Sequence, residues 1–271
     1  MLKKLLIGTA LAAVASSATL AADLPRRAAP PAPVYVAPIF TWTGFYVGLN
    51  AGYGFSGDRT VNISGSPLIT NGQIAGQAPF SLSPKRDGFI GGGQIGYNVQ
   101  SGSFVYGVEV DFQGADIKGS ANACAIAGGC AAVITSATNK LEWLGTLRGR
   151  VGVSFDRALI YATGGLALGG VRNSVHLNEF AGAGRQFLAR SNSTRAGWTL
   201  GAGVEYAISN NWSAKLEYLY YDLGSRSAVG GQFNPVGAEF LTAKFKNNGH
   251  IVRAGINYRF GGPAGPVVAS Y

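Results

Sequence analysis

The C-terminal stretch at 248–260 alternates between two kinds of side chain, and this alternation restricts the possible folds more than any other feature. At every second position the largely apolar set reads His250, Val252, Ala254, Ile256, Tyr258 and Phe260. The set between them reads Ile251, Arg253, Gly255, Asn257 and Arg259, with Ile251 as the one apolar exception. Successive side chains of a β-strand point to opposite faces, so this stretch is predicted to be a strand with one apolar and one charged face.

The same alternation recurs along the chain. It predicts further strands at about 43–55, 88–99, 104–113, 140–155, 158–171, 196–208 and 212–221. Short turns alternate with long polar segments at about 56–87, 114–139, 172–195 and 222–247. Outer-membrane barrels of bacteria have short periplasmic turns, long external loops and lipid-facing apolar residues at every second position. We therefore predict an all-β fold, an eight-stranded antiparallel transmembrane up-and-down β-barrel at 42–260, with both termini in the periplasm.

One predicted strand, 158–171, has no clear register. Ile160 and Leu166 compete with Leu159 and Tyr161 for the lipid-facing side, and both sets are apolar. A slip of one residue exchanges the two faces of a strand. The sequence therefore leaves open which of these side chains face outward.

The two ends of the chain differ in composition from the barrel. Lys3 and Lys4 precede a short apolar run and a series of small residues, which predicts a cleavable signal peptide at 1–22. An uncleaved membrane helix is the alternative. The Pro-rich segment at 23–41 is expected to be an extended periplasmic spacer. Residues 261–271 would form a C-terminal extension after the last strand.

The charge content argues against a nucleic-acid-binding protein. Only 13% of the residues are charged, although the net charge is +9. The lysines and arginines are scattered along the chain, whereas nucleic-acid-binding domains collect them on one face. A low charge content instead suits an outward surface that meets lipid.

The charged residues of the predicted strands fall on the inward face. They are Glu109, Asp111, Glu142, Arg148, Arg150, Glu205, Lys215, Glu217, Arg253 and Arg259. Eight strands enclose a lumen that side chains can fill, and an unpaired charge there would be costly. Because acids and bases are equal in number, we expect a network of paired charges and a plugged barrel. A narrow diffusion channel remains the alternative.

The two cysteines, Cys124 and Cys130, lie in one of the predicted long loops. Two cysteines in a secreted chain are typical of a disulfide, which here would close a short loop. No histidine or further cysteine is near them in sequence, so a metal site is not predicted. We expect a disulfide that staples the loop.

A glycine-rich stretch and two histidines are the remaining candidates for a chemical role. The stretch at 91–96 matches a dinucleotide-binding fingerprint, but a strand pattern runs through it where a helix would be needed. His176 and His250 could ligate haem iron or simply be polar surface residues. His250 has no adjacent serine and no alternating acid on its strand, so an enzyme is not predicted. We predict no cofactor.

The long polar segments carry more bases than acids. Basic side chains near a membrane surface attract the phosphates of lipids, so outer-membrane lipid and lipopolysaccharide are the expected partners. Solvated loops with no specific partner are an equally open alternative.

Several motifs resemble one known family. They are Ala-Asp-Leu-Pro at 22–25, Thr-Trp-Thr-Gly-Phe-Tyr-Val-Gly at 41–48, Tyr-Ala-Thr-Gly-Gly-Leu-Ala at 161–167 and Asn-Tyr-Arg-Phe at 257–260. With the Pro-rich spacer, they make the chain similar to the outer-membrane immunogenic proteins of alphaproteobacteria, porin-like members of the small OmpA-type barrel superfamily. The resemblance implies an eight-stranded barrel, surface exposure and a part in envelope integrity. It also implies the barrel insertion machinery as a partner and a possible host or haem ligand.

The end of the chain departs from that family's usual pattern. Such barrels commonly end at an aromatic residue that the insertion machinery recognises, whereas here Phe260 is followed by a segment ending in Tyr271. Which of the two is read stays open. We expect a structural surface protein of the outer membrane, with a ligand-binding or host-binding surface protein and a narrow channel as alternatives.

Overall fold

A computed structural model describes residues 40–57, 60–125, 133–179 and 184–260, all of which belong to one compact unit. The predicted signal peptide, the C-terminal extension and nearly all of the spacer lie outside these residues. No helix among the described residues is both long and apolar enough to cross a membrane. The elements are β1 (Gly44–Ser56), β2 (Val61–Gly65), α1 (Pro67–Ile74), β3 (Ser81–Leu82), β4 (Asp87–Ser101), β5 (Phe104–Cys124), β6 (Val133–Phe155), β7 (Ala158–Glu179), β8 (Gln186–Ala207), β9 (Trp212–Asn234) and β10 (Val236–Phe260).

Ten strands form one antiparallel sheet that closes on itself. β1 pairs with β4, each strand from β4 to β9 pairs with the next, and β10 returns to β1. The β1–β10 ladder runs without interruption from Phe45 opposite Phe260 to Ser56 opposite Gly249. The prediction of an all-β antiparallel up-and-down sheet is confirmed. Below, the lower end is the end at which β1 begins and β10 ends.

The number of strands differs from the eight predicted, because 56–87 is not a simple loop. Within it, β2 pairs with β10 near the upper end, β3 pairs with β2, and α1 lies between them. The Gln73 amide of α1 donates to the carbonyls of Ile63 and Pro79, at 2.9 and 3.0 Å. β2 and β3 are five and two residues long, too short for periodicity to reveal them.

Three other segments predicted as long loops, 114–139, 172–195 and 222–247, are largely strand, so that prediction was wrong. β5 continues to Cys124, β6 begins at Val133, and β9 and β10 are separated by a single residue. Glycine, serine and asparagine make these segments look like loops in the sequence. Their backbone groups are nevertheless paired with neighbouring strands. This pairing satisfies backbone N–H and C=O groups, which are costly to bury without a hydrogen-bond partner.

The outer face carries an apolar band between two rings of aromatic side chains. The lower ring includes Phe45, Tyr97, Phe104, Phe155, Trp212, Tyr258 and Phe260. The upper ring includes Tyr53, Phe55, Phe89, Phe112, Trp143, Trp198, Tyr218, Tyr220 and His250. From Phe45 to Phe55 the strand advances about 33 Å, or about 25 Å along the axis at a tilt of roughly 40°. That height equals the apolar band of outer-membrane barrels, which aromatic girdles flank.

The interior is layered from the lower end to the upper end, and each layer is named here by its members. The lower apolar layer consists of Trp42, Val105, Leu159, Tyr161 and Ala207. The ion layer consists of Glu109, Asp111, Arg148, Arg150, Glu205, Lys215, Glu217 and Arg253. The middle apolar layer consists of Ile90, Ile117, Leu141, Leu144, Ala167, Val171, Leu219, Tyr221, Leu223 and Ile251.

Two further layers fill the upper end. The upper polar layer contains Arg86, Asn139, Asn173 and Asn247. The upper apolar layer includes Val61, Ile63, Ile69, Leu82, Val133, Val175, Leu177, Phe187, Leu241 and Phe245. The inward face is therefore not polar throughout, because apolar layers alternate with polar ones along it. Ile251, the apolar exception in the sequence of β10, is fully buried because it belongs to the middle apolar layer.

The register of β7, which the sequence left open, is decided by contacts inside the barrel. Leu159 and Tyr161 face inward and are buried, whereas Ile160 and Leu166 face outward and are exposed. Leu159 packs in the lower apolar layer, and the Tyr161 hydroxyl donates to Glu217 Oε1 at 3.1 Å. A tyrosine inside gains a hydrogen bond that it would lack against lipid, which explains the choice.

Candidate functional site

The ion layer is the most concentrated group of charged side chains in the described part of the chain. Six of its eight members come in pairs spaced by two residues, such as Glu109 with Asp111 on β5 and Arg148 with Arg150 on β6. This spacing places both side chains of a pair on the inward face. Strand pairing then sets Glu109 opposite Arg148, and Glu217 on β9 opposite Arg253 on β10. The alternation and the register of the strands together thus bring acids next to bases.

Glu109 is the hub of the ion layer. Lys215 Nζ lies 3.0 and 2.9 Å from its two carboxylate oxygens, and Arg148 donates to Oε1 as well. The Tyr46 hydroxyl donates to Oε2 at 2.7 Å. Hydrogen bonds from charged donors are shorter and stronger than neutral ones, so this buried carboxylate is held on several sides.

Arg148 joins the hub to two further acids. Its Nη2 lies 2.8 Å from Asp111 Oδ2, and its Nη1 lies 3.0 Å from Glu217 Oε1. Arg253 bridges the same two acids from the opposite side, with 2.7 Å from Nε to Glu217 and 3.2 Å from Nη2 to Asp111. The two guanidinium groups and three carboxylates form one continuous network that crosses the barrel from β5 to β10.

A second pair extends the network downward. Arg150 Nη2 lies 2.8 Å from Glu205 Oε2, and its guanidinium sits 4.0 Å from the centre of the Tyr161 ring. Glu205 also accepts hydrogen bonds from Ser213 at 2.5 Å and from Asn257 at 2.8 Å. The cation–π contact fixes the arginine against the lower apolar layer.

Two predicted members of the inward network lie elsewhere. Glu142 is partly exposed and pairs at 2.9 Å with Arg172, which is itself exposed, so the prediction placed Glu142 on the wrong face. The cause is an irregularity of the β6–β7 ladder between Leu141 and Trp143, which shifts the alternation by one residue. Arg259 is buried but bonds the Asn210 carbonyl at 2.6 Å.

The network balances four carboxylates against four bases, all of them buried. A buried charge without a partner costs several kcal/mol, and a fully bonded network avoids that cost while fixing its members rigidly. Every carboxylate here accepts hydrogen bonds from two or more donors. Such an arrangement holds strands together, and it keeps these acids engaged rather than available to an outside molecule.

Trp42 closes the lower end and was not singled out from the sequence as a site residue. It is 1% exposed, and its indole nitrogen donates to the Asp156 carbonyl of the β6–β7 turn at 3.2 Å. Its backbone N–H donates to the Gln100 side chain at 2.8 Å, and its ring packs against Phe40 and Arg259. A tryptophan directly after a Pro-rich segment was the sequence signal that could have pointed to this closure.

The remaining predicted site residues are dispersed. Cys124 ends β5 and Cys130 lies outside the described residues, so the disulfide stays a prediction. His176 lies on β7 above the apolar band, where burial and the nearby Arg190 lower its pKa. His250 lies in the upper ring on β10, with Nδ1 2.5 Å from the Tyr218 hydroxyl. The described residues contain no cluster of histidine, cysteine or acidic side chains that could hold a metal ion.

The stretch at 91–96 lies within β4, as its strand periodicity predicted. Gly92 and Gly96 face inward, and a Cβ at either position would meet backbone or ring atoms at less than 3.0 Å. These glycines therefore allow close packing of Tyr46 and of the β5 backbone. The dinucleotide fingerprint is coincidental here, because a strand occupies the place of the required helix.

Comparisons with known proteins agree with this geometry. The sequence profile described as outer membrane protein beta-barrel domain matches residues 7–260. The chain belongs to this outer-membrane β-barrel family. The 31 kDa outer-membrane immunogenic protein of Brucella melitensis is 42% identical over 95% of this chain and 100% of its own length. The 22 kDa outer membrane protein of Rhizobium leguminosarum is 34% identical over 70% of this chain and 69% of its own length.

A similarity to a solved structure was also found. The outer membrane protein OprG from Pseudomonas aeruginosa aligns over 80% of this chain and 96% of its own, with a TM-score of 0.47 and 11% identity. The resemblance to alphaproteobacterial outer-membrane immunogenic proteins is thus confirmed through the relatives, which also place this family member in the cell outer membrane. Neither the family description nor the names of these two relatives indicates an enzyme.

Proposed function

We propose that this chain is a structural surface protein of the outer membrane, a plugged barrel that anchors and shields the envelope. In this proposal the eight long strands span the membrane, and β2, β3 and α1 are additions at the outer end. The observation that carries it is the layered interior, in which three apolar layers and two polar layers follow one another along the axis. A water-filled channel would instead need a continuous polar lining.

The ion layer supports the same conclusion on energetic grounds. A permeating ion would have to displace partners of Arg148 or Arg253, whose side chains are fully buried and bonded to several carboxylates. Breaking one buried pair costs roughly 3–5 kcal/mol, which slows passage by about a hundredfold to several thousandfold. The apolar layers on either side add the cost of dehydrating the ion.

The orientation follows from the lengths of the connections. The lower end has only short turns, at 102–103, 156–157 and 208–211, and both ends of the described chain are there. The upper end carries the long strand extensions together with β2, α1 and β3. Because short turns of such barrels face the periplasm, we infer that both termini are periplasmic and that the upper end faces the outside.

A narrow path for water is the second candidate, favoured by a few polar atoms in and beside the ion layer. Arg150 Nε, Arg253 Nη1 and Asn50 Oδ1 are buried and have no hydrogen-bond partner among the described residues. Internal waters commonly satisfy such atoms. A path of this kind would conduct weakly and intermittently, because the apolar layers interrupt it.

The test of the proposal is conductance across a planar bilayer. The folded full-length mature protein should give no large, steady current, because its interior is closed. A Trp42→Ala, Leu159→Ala variant truncates two of the five side chains of the lower apolar layer and should raise the frequency of brief openings. Exposed Leu200→Ala on the outer face serves as the control and should behave like the wild type. Stable, large-conductance openings in the wild type would contradict the plugged barrel.

A further inference from the structure

Three bases stand side by side on the outward face of β5, β6 and β7, and we call them the basic row. Lys118 lies directly opposite Lys140 in one ladder, and Lys140 lies directly opposite Arg172 in the next. Directly opposite side chains are about 5 Å apart at Cβ, and like charges placed in this way destabilise a sheet. Asp87 of β4 lies opposite Lys118 at the end of the row and accepts a hydrogen bond from the Tyr53 hydroxyl.

Two acids just below the basic row hold its side chains, and the five residues together are called the charged cluster. Asp116 lies 3.2 Å from Lys118 and 3.3 Å from Lys140. Glu142 lies 2.9 Å from Arg172. Glu142 reaches the outer wall because both ladders of β6 are irregular at this height, since a regular strand would have turned it inward. Irregularities of this kind often re-aim a side chain beside a functional site.

The acids leave most donors of the basic row available. An ammonium group has three N–H donors, and each of the two lysines pairs with Asp116 alone among the described residues. Arg172 pairs through Nε, so its two terminal nitrogens have no partner in the described part of the chain. The side chains of Lys118, Lys140 and Arg172 are 66%, 38% and 60% exposed, and exposed ion pairs are weak. The acids therefore position the bases without saturating them.

The charged cluster lies at the boundary of the apolar band. Trp143, the residue after Glu142, belongs to the upper aromatic ring and stacks on Phe112 with 5.7 Å between the ring centres. Aromatic girdles mark the boundary between hydrocarbon and headgroups. Because the cluster begins where this ring ends and faces outward, it meets the lipid headgroups of the outer leaflet. Phosphate matches a guanidinium fork with two hydrogen bonds and also binds ammonium groups.

A shallow groove continues from the charged cluster down the lipid-facing wall. It has a volume of about 540 Å³, with Asp116 and Glu142 at one end and Ala51, Gly91 and Gly114 along its floor. Packing within the protein does not require the glycine at 114, because the atom nearest to a Cβ there would be 4.0 Å away. Glycine weakens a strand and often marks the close approach of another molecule. In the membrane that molecule is a lipid chain.

We propose that the charged cluster and the groove bind a phosphorylated lipid of the outer leaflet. The terminal nitrogens of Arg172 take the phosphate, and Lys140 and Lys118 contribute their remaining N–H donors. One acyl chain lies in the groove below. Asp116 and Glu142 act as positioning residues that hold the bases in one row. The proposal rests on the orientation inferred under the proposed function, and it adds the residues and the chemical group that the outer wall recognises.

Binding to the folded full-length mature protein in mixed micelles tests the proposal. The three probes are bisphosphorylated lipid A, the same lipid after phosphatase treatment, and inorganic phosphate. Wild-type protein should bind the phosphorylated lipid at least about tenfold more tightly than the dephosphorylated one. A Lys140→Gln, Arg172→Gln variant should lose that preference. The exchange Lys140→Arg, Arg172→Lys keeps both charges on the row and should retain most of the preference.

The matched control removes two exposed bases from β9 and β10, outside the charged cluster. An Arg226→Gln, Lys244→Gln variant should change the preference by less than about twofold, because solvent and salt screen distant surface charges. Equal loss in this control, or an unchanged preference in the Lys140→Gln, Arg172→Gln variant, would overturn the site. Binding of inorganic phosphate that depends on Arg172, without a preference between the two lipids, would overturn the lipid as the source of the phosphate.

The groove is tested separately from the charged cluster. A Gly114→Leu variant fills the groove and should weaken binding of both lipids while leaving their ratio unchanged. Unchanged binding of both lipids would contradict the seat for the acyl chain.

Two further measurements keep the outcomes separable. Heat-modifiable migration on a gel confirms that each variant is folded, and the exchange variant tests the site even if the glutamine variant does not fold. Bilayer conductance of the same preparations reports on the plugged interior independently. A conducting barrel with an intact phosphate preference would contradict the proposed function alone, whereas a closed barrel without that preference would contradict the lipid site alone.

Discussion

At the scale of single residues, Glu109 and Glu142 look equivalent in the sequence but differ in burial and in their partners. Glu109 is 3% exposed and is surrounded by Lys215, Arg148 and Tyr46. Glu142 is partly exposed and has one exposed partner, Arg172. The contribution of a carboxylate to stability depends on its surroundings, because solvent screens an exposed ion pair and leaves a buried one unscreened.

Replacing Glu109 with glutamine should therefore destabilise the barrel strongly. The change leaves Lys215 and Arg148 with uncompensated buried charge, so we expect a loss of roughly 3–5 kcal/mol in the free energy of unfolding. Glu142→Gln is the matched control and should cost less than about 1 kcal/mol. Urea unfolding in lipid vesicles, followed by tryptophan fluorescence, measures both. Similar losses in the two variants would contradict the inward position assigned to Glu109.

At the scale of elements, β5 to β10 continue well beyond the apolar band. Their upper parts enclose the upper apolar layer, in which Phe187 and Phe245 are fully buried. This layer is a small soluble-type core built on a membrane barrel, and α1 and β2 contribute Ile69, Val61 and Ile63 to it. Its stability comes from apolar burial in water, whereas the membrane-facing part depends on lipid.

Phe187→Ala should loosen the upper end without unfolding the rest. Truncation of a buried phenylalanine costs roughly 3–5 kcal/mol, and here the cost falls on strands outside the lipid. We expect faster protease cleavage of the upper strand ends on intact cells, with the membrane-embedded part still protected. Phe240→Ala, at an exposed position of β10, should cleave at the wild-type rate. Cleavage throughout the barrel in Phe187→Ala would contradict a separate upper core.

At the scale of the whole molecule, closure of the sheet by the β1–β10 ladder sorts the side chains into an inside and an outside. Trp198 and Trp212 lie exposed in the upper and lower aromatic rings, whereas Trp42 is buried in the lower apolar layer. A closed barrel in a bilayer exposes one set of residues to lipid and hides the other. The positions of the tryptophans therefore report on the position of the membrane.

Single-tryptophan variants test this arrangement. The proteins that retain Trp198 or Trp212 should be quenched strongly by lipids brominated close to the headgroups. The protein that retains Trp42 should keep most of its fluorescence, because the barrel wall separates its ring from lipid. Fluorescence in vesicles with and without brominated lipid measures the effect. Quenching of Trp42 as strong as that of Trp198 would be incompatible with the closed wall.

The sequence alone was informative where one face of a strand meets lipid and the other does not. The alternation at 248–260 and its repeats predicted an antiparallel all-β sheet, and it put Glu109, Arg148 and Arg253 on the inward face. This succeeded because the side-chain period of a strand is fixed by its backbone. The alternation weakens outside the membrane, where neither face meets lipid, so the upper strands were mistaken for loops.

Only the tertiary structure decided which inward residues touch one another. The outward turn of Glu142, the register of β7 and the closure by Trp42 all depend on contacts between residues far apart in the chain. A bulge causes the first of these features, and a bulge shifts the alternation by one residue with little trace in composition. Local periodicity specifies the face of a side chain, whereas its partner depends on the packing of all the strands together.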